Sequence, residues 1–179
     1  MKRRSTIARH KRHEFQFLLD RNLGAILLAA QLKNAGINVI AHDDKFTRTE
    51  RDPWIFYKCG KEGLIVVTSD KAFMKFFPHM VAIALGRTTV LYFASNNYNS
   101  QVRGKAFLTA YKSIVLALKR HKGEPFIASI GSNGAFTIVE KSPRPKSKNC
   151  DSRDWESYVR VCQVEGIEVE KSDGNSTQK

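Results

Sequence analysis

The chain is short of cysteine, of acids and of long apolar runs. Three cysteines (Cys59, Cys150, Cys162) stand among 179 residues. Their number is odd and none has paired metal-ligand spacing. They give no disulfide framework and no zinc module, and read as reduced packing thiols of a cytoplasmic protein. No stretch approaches the roughly 18 uninterrupted apolar residues of a membrane span. The basic start has no apolar run behind it, so neither a membrane anchor nor a secretory leader is expected. A glycine-rich phosphate loop is also missing. Gly131-Ser132-Asn133-Gly134 reads as a hairpin turn, which leaves a nucleotide cofactor without support. No Ser or Cys stands at a strand-to-helix elbow, and His10, His13, His79 and His121 show no metal-binding spacing.

Acids number 17 against 30 Lys and Arg, a net charge of +13. The excess is uneven. Residues 1–13 hold six bases and no acid, whereas residues 149–179 hold four bases and seven acids. A chain with a pI near 9.9 and clustered bases carries the electrostatic footprint of a polyanion binder. General solubility is the plainer alternative.

Hydrophobic patterning gives an alternating order. Residues 15–19 (FQFLL) read as a buried strand, 25–34 as a helix closed at Ala35-Gly36, and 37–42 as a second strand. Asp52 reads as an N-cap and Pro53 as the first residue of a helix ending at Gly63. Residues 64–68 (LIVVT) form a third strand. A helical stretch interrupted at Pro78 leads to a fourth strand over 89–95. A long helix over 100–121 puts Val102, Phe107, Leu108, Tyr111, Ile114, Val115 and Leu118 on one stripe. Residues 126–130 and 135–139 read as a terminal hairpin. Continuous apolar strands between helices imply an α/β fold: a Rossmann-like parallel sheet of right-handed βαβ units, flanked by helices on both faces. The organisation expected is a basic arm over 1–14, one domain over 15–140, and a linker and tail over 141–179 with a docking element within 151–170.

Ligands of such sheets bind beyond the carboxyl ends of the strands. Three strands here end in acids: Asp20, then Asp43-Asp44, then Asp70. Asp52 opens the helix before the third strand. Carboxylates gathered on a basic protein call for a cation, and hard oxygens select Mg²⁺ or Mn²⁺. Such an ion beside a basic surface suits phosphodiester hydrolysis by an activated water. Asp at a strand end also caps helices, and Asp43 and Asp44 are equally well explained as turn residues.

The order FLLDRNL, INVIAHDD and RDPWIFYKCGKEGLIVVTSDK resembles the PIN-like nucleases, and more narrowly the small VapC-like PIN proteins, over about residues 15–95. The resemblance implies a Rossmann-like fold and a Mg²⁺- or Mn²⁺-dependent nuclease acting on RNA rather than DNA, often a toxin held by a cognate antitoxin. It implies metal-binding and catalytic roles for Asp20, Asp52 and Asp70, with Asn22 and Thr68 in support. One departure is Ala72, which stands where many PIN nucleases carry a further acid. Asp43 or Asp44 is a candidate replacement.

Nucleic acid is expected to meet Lys71, Lys45, Arg48, Arg51, Arg103 and Lys105, the last two from a basic helix face. Trp54 and Tyr98 are candidates for base stacking, with core packing the better account of Trp54. His42 reads as a satisfied strand-end histidine. A homodimer fits the spare apolar surface of the C-terminal half. The rivals are a catalytically silent nucleic-acid- or partner-binding module on the same sheet, and a receiver-like phosphoacceptor at Asp43 or Asp44.

Overall fold

The computed structural model describes residues 14–144 and 152–168. The basic arm up to residue 13, residues 145–151 with Cys150, and the tail from 169 lie outside the described residues. The elements, in order, are β1 (Gln16–Leu19), α1 (Ala25–Asn34), β2 (Val39–Ala41), α2 (Asp52–Lys61), β3 (Leu64–Thr68) and α3 (Phe77–Gly86). Then come β4 (Val90–Phe93), α4 (Ser100–His121), β5 (Phe126–Ile130), β6 (Phe136–Lys141) and α5 (Ser152–Val164).

One six-stranded sheet runs β2-β1-β3-β4-β5-β6. The first five strands are parallel, and β6 pairs antiparallel with β5 as the closing hairpin. Every residue of β3 and β4 is buried, as strands covered on both faces require. Phe17 and Leu19 of β1 pack with α1 and α4 on one face, where the Phe17 and Phe107 rings meet edge-on at 5.3 Å. Leu18 and Val66 pack with α2, α3 and α5 on the other.

The crossovers depart from the expected uniform hand. Going from β1 to β2 the chain steps one way with α1 on the first face; to β3 and β4 it steps the other way with α2 and α3 on the second face. Those three share one hand. The step from β4 to β5 continues in the same direction, but α4 lies on the first face, so this crossover has the opposite hand. The cause is coverage. Helix α1 shields only the β1–β2 side, and the one helix after β6, α5, packs on the second face with α2 and α3. A helix of 22 residues, about 33 Å long, spans what remains.

Three local readings are corrected. Pro78 does not interrupt a helix: it sits in the first turn of α3, where its missing N–H costs nothing. Asp52 is not the N-cap of α2. Arg51 holds that place, and no side chain caps the helix there. On α4 the buried stripe runs through Arg103, Ala106, Phe107, Ala110, Ile114, Ala117 and Leu118, while Leu108 is exposed.

Helices α2 and α3 touch at Gly60 and Gly86. A Cβ on Gly60 would lie 2.2 Å from the Gly86 carbonyl oxygen and 2.3 Å from Thr88 Oγ1. That hydroxyl is committed, donating to the Phe56 carbonyl at 2.6 Å. Burial pushes the Cys59 thiol in the same helix up to about 12, which keeps it protonated and inert. Gly60→Ala is therefore expected to lower unfolding stability by about 1–3 kcal/mol, read as a fall in the urea midpoint at unchanged slope.

Candidate functional site

The strand order reverses at β1, with β2 on one side and β3 on the other. A crevice opens there beyond the carboxyl ends of the strands. The parallel register sets Leu19 beside Val67, so the next residues, Asp20 and Thr68, emerge together. The Asp20 N–H donates to the Val67 carbonyl at 2.9 Å and extends the ladder by one bond. Thr68 Oγ1 donates to Asp20 Oδ2 at 2.6 Å and accepts from the Asp70 N–H at 3.0 Å, so one buried hydroxyl ties the ends of both strands. Asp70 Oδ1 in turn accepts from the Ala72 N–H at 2.7 Å. Asn22 braces the same corner, its Oδ1 accepting from Ser69 Oγ at 3.0 Å.

Asp52 joins from the first turn of α2. Asp20, Asp52, Asp70, Thr68 and His42 line one cleft of about 370 Å³, open mouth included, over an apolar floor of Leu18, Ile55, Phe56, Val66 and Phe73. The structure thus brings the three aspartates named from the sequence into one place. Asp43 and Asp44 are exposed and do not line the cleft. Asp43 Oδ1 lies 3.0 Å from Arg21 Nε and 3.0 Å from His42 Nδ1. The His42 and Arg21 hydrogen bonds hold its carboxyl below the ordinary range. His42 is buried, as expected of a satisfied strand-end histidine.

The cleft gathers carboxylates with few donors. Among the described residues, Asp52 has no hydrogen bond or ion pair, Asp20 accepts only from Thr68 and Asp70 only from Ala72. Asp52 is exposed, yet the protein atoms crowding its carboxyl displace enough water to push it above its ordinary value. His79 opposes the shift, and the charges of Asp20, Asp154 and Asp70 add to it. The hard oxygen donors match Mg²⁺ or Mn²⁺ rather than a softer ion. Among the described residues, no three His, Cys, Asp or Glu side chains form a ready-made metal cage. Mg²⁺ commonly takes one or two carboxylates and keeps several waters, and Asp20 and Asp70, each with one oxygen left free of hydrogen bonds among the described residues, are the cleft residues that would hold such an ion.

The basic residues named from the sequence divide. Arg51 and Lys71 adjoin site aspartates and are exposed, as are Arg48 and Lys105. Helix α4 lies across the sheet from the cleft, however, which sets Lys105 apart from it. Arg103 is corrected outright. It is buried in register with the core stripe and donates to the Asn96 carbonyl at 2.9 Å, so it offers no surface contact. Lys45 is ion-paired with Glu62. Trp54 is buried, and Tyr98 packs against the core on the α4 face.

Sequence reasoning missed His79 and Asp154. His79 Nε2 meets Asp154 Oδ2 at 2.9 Å, joining α3 to α5 across 75 positions of chain. The helical spacing of Tyr158, Val161 and Cys162 was the available signal for that docked helix.

No protein-family model, curated protein or solved structure matches this chain. Among the described residues, no helix is long and apolar enough to cross a membrane.

A raised carboxyl pKa penalises the folded state once the group ionises. Its cost is absent below the unfolded pKa, about 3.9 for Asp, and complete above the folded one. Asp52→Asn is therefore expected to raise the melting temperature at neutral pH in chelator. The gain should shrink as pH falls toward the ordinary Asp value; a gain that is flat with pH would contradict this account.

Proposed function

We propose that the protein is a divalent-metal-dependent, PIN-like endoribonuclease that hydrolyses RNA phosphodiesters. The observation that carries this reading is the meeting of Asp20, Asp52 and Asp70, from three separate elements, in one cleft at the strand-order reversal. When bound, Mg²⁺ or Mn²⁺ would polarise a phosphoryl oxygen and make a water more acidic. Thr68 fixes the Asp20 carboxylate through one oxygen and leaves the other available. Asp70 is fixed likewise by the Ala72 N–H. Asp52 is exposed and makes no side-chain hydrogen bond or ion pair among the described residues, so its carboxylate is available to take the water's proton. Lys71 and Arg51, exposed beside two of the acids, suit the phosphate backbone.

A second reading, a nucleic-acid-binding module without catalysis, is favoured by Ala72 and by the lack of a ready-made metal cage. The toxin role and its cognate antitoxin rest on the resemblance alone; a small open reading frame overlapping this one would support them.

Manganese titration separates the two readings. Mn²⁺ is expected to raise the melting temperature, and Asp20→Asn to abolish both the rise and any cleavage of single-stranded RNA. RNA binding and melting that are both indifferent to Mn²⁺ and to Asp20→Asn would favour the binding module.

A further inference from the structure

A second groove of about 850 Å³, open mouth included, is lined by Arg51, whose chain neighbour Asp52 lines the cleft. Its walls are the loop entering α2, with Thr49 and Arg51, and one face of α5, with Ser157 and Arg160; Trp54 lies between them. The Arg160 guanidinium carbon sits 3.7 Å from the centre of the Trp54 ring. That stacking holds a planar fork of donors in a defined place. Among the described residues, neither Arg160 nor Arg51 has a carboxylate partner or a side-chain hydrogen bond. Ser157 anchors the arrangement, its Oγ accepting from the Trp54 N–H at 3.1 Å. Two acids also line the groove. The Glu50 carboxylate is occupied by the Thr47 N–H at 2.8 Å, and Glu156 is exposed one turn before Arg160.

We propose that this groove is the phosphate track by which single-stranded RNA reaches the cleft, with Arg51 and Arg160 each holding one backbone phosphate. The proposal rests on the nuclease reading and names the path of its substrate. A guanidinium with free donors, stacked rather than ion-paired, is pre-organised for bidentate contact with phosphate. Arg51 immediately precedes Asp52 in the chain, so a strand gripped there is delivered to the acids. Helix α5, which follows the sheet in sequence, is on this account part of the substrate site. The track favours a single strand because the adjoining cleft is confined, about 370 Å³ with its open mouth included.

The test is the affinity of the full chain for a short labelled oligouridylate, in EDTA so that no cleavage occurs, over a series of salt concentrations. Arg51→Ala and Arg160→Ala are each expected to weaken binding and to lower the slope of log affinity on log salt by about 0.7, one single-strand phosphate contact apiece. Arg160→Lys should keep the slope while losing affinity. Arg51 is exposed and makes no side-chain hydrogen bond or ion pair among the described residues, so an unchanged slope in Arg51→Ala overturns the track even if Arg160→Ala loosens α5. Slopes that stay at the wild-type value while Asp20→Asn still abolishes cleavage overturn the track and leave the nuclease reading standing. No RNA binding by the wild-type chain overturns both. Equal slope losses with duplex RNA overturn the single-strand assignment.

Discussion

The parallel pairing of β1 with β3 is the constraint on which the site depends. With Leu19 held beside Val67, the chain has no freedom over where Asp20 and Thr68 leave the sheet. A one-residue slip would turn every side chain of β1 to the other face and carry Asp20 away from Thr68. The apolar run Phe17-Leu18-Leu19, fully buried between helices, makes that slip prohibitive. Placement of the acids is thus enforced by hydrophobic burial some residues away. The carboxylates themselves repel one another, and only the hydrogen bonds that Asp20 takes from Thr68 and Asp70 from the Ala72 N–H offset that at the corner.

That repulsion explains the local hydrogen bonding. Carboxylates near each other and partly out of water take up protons unless donors or cations compensate. The structure supplies a hydroxyl to Asp20 and a backbone N–H to Asp70, but no donor to Asp52. Helix α2 contributes to this asymmetry because its capping position falls on Arg51. An aspartate one residue earlier would turn its carboxylate onto the helix backbone, whereas at its actual place in the first turn it remains available.

The α/β class, the helices over 25–34 and 100–121, the closing hairpin and the three cleft aspartates were all legible in the sequence, because each follows from local periodicity, from an acid just beyond an apolar strand or, for Asp52, from an Asp-Pro pair that opens a helix. What escaped depends on relations between distant segments. The burial of Arg103 follows from the rotation of α4, which is set by Ala106, Ala110 and Ala117 facing the sheet; alanines give a weak periodic signal, and Leu108 and Val115 drew the stripe a few tens of degrees away. The opposite hand of the β4–β5 crossover depends on which face was still uncovered once α2 and α3 were in place. The His79–Asp154 pair links positions 75 residues apart, and neither residue is unusual in its own neighbourhood.

Helix α5 extends the argument from the sheet to its surroundings. Its apolar contribution is small: Tyr158, Val161 and Cys162 are its buried side chains. Polar ties supply the rest of the docking. Ser157 accepts from the Trp54 N–H, Asp154 meets His79, and Glu165 takes both the Tyr57 hydroxyl at 2.6 Å and Lys61 Nζ at 2.7 Å. Apolar contacts tolerate sliding; these do not, since each donor has one acceptor and an unpaired buried partner costs about 1–3 kcal/mol. A buried ion pair adds little net stability against a well-packed apolar pair, but it penalises misregistration strongly. Docking of this kind therefore specifies one position for α5 along α2, and that position puts Arg160 over Trp54 and Asp154 within electrostatic reach of Asp52. Of these ties, the Trp54 N–H to Ser157 falls in the turn of α2 that carries Asp52, and the others fix the helix against Tyr57, Lys61 and His79.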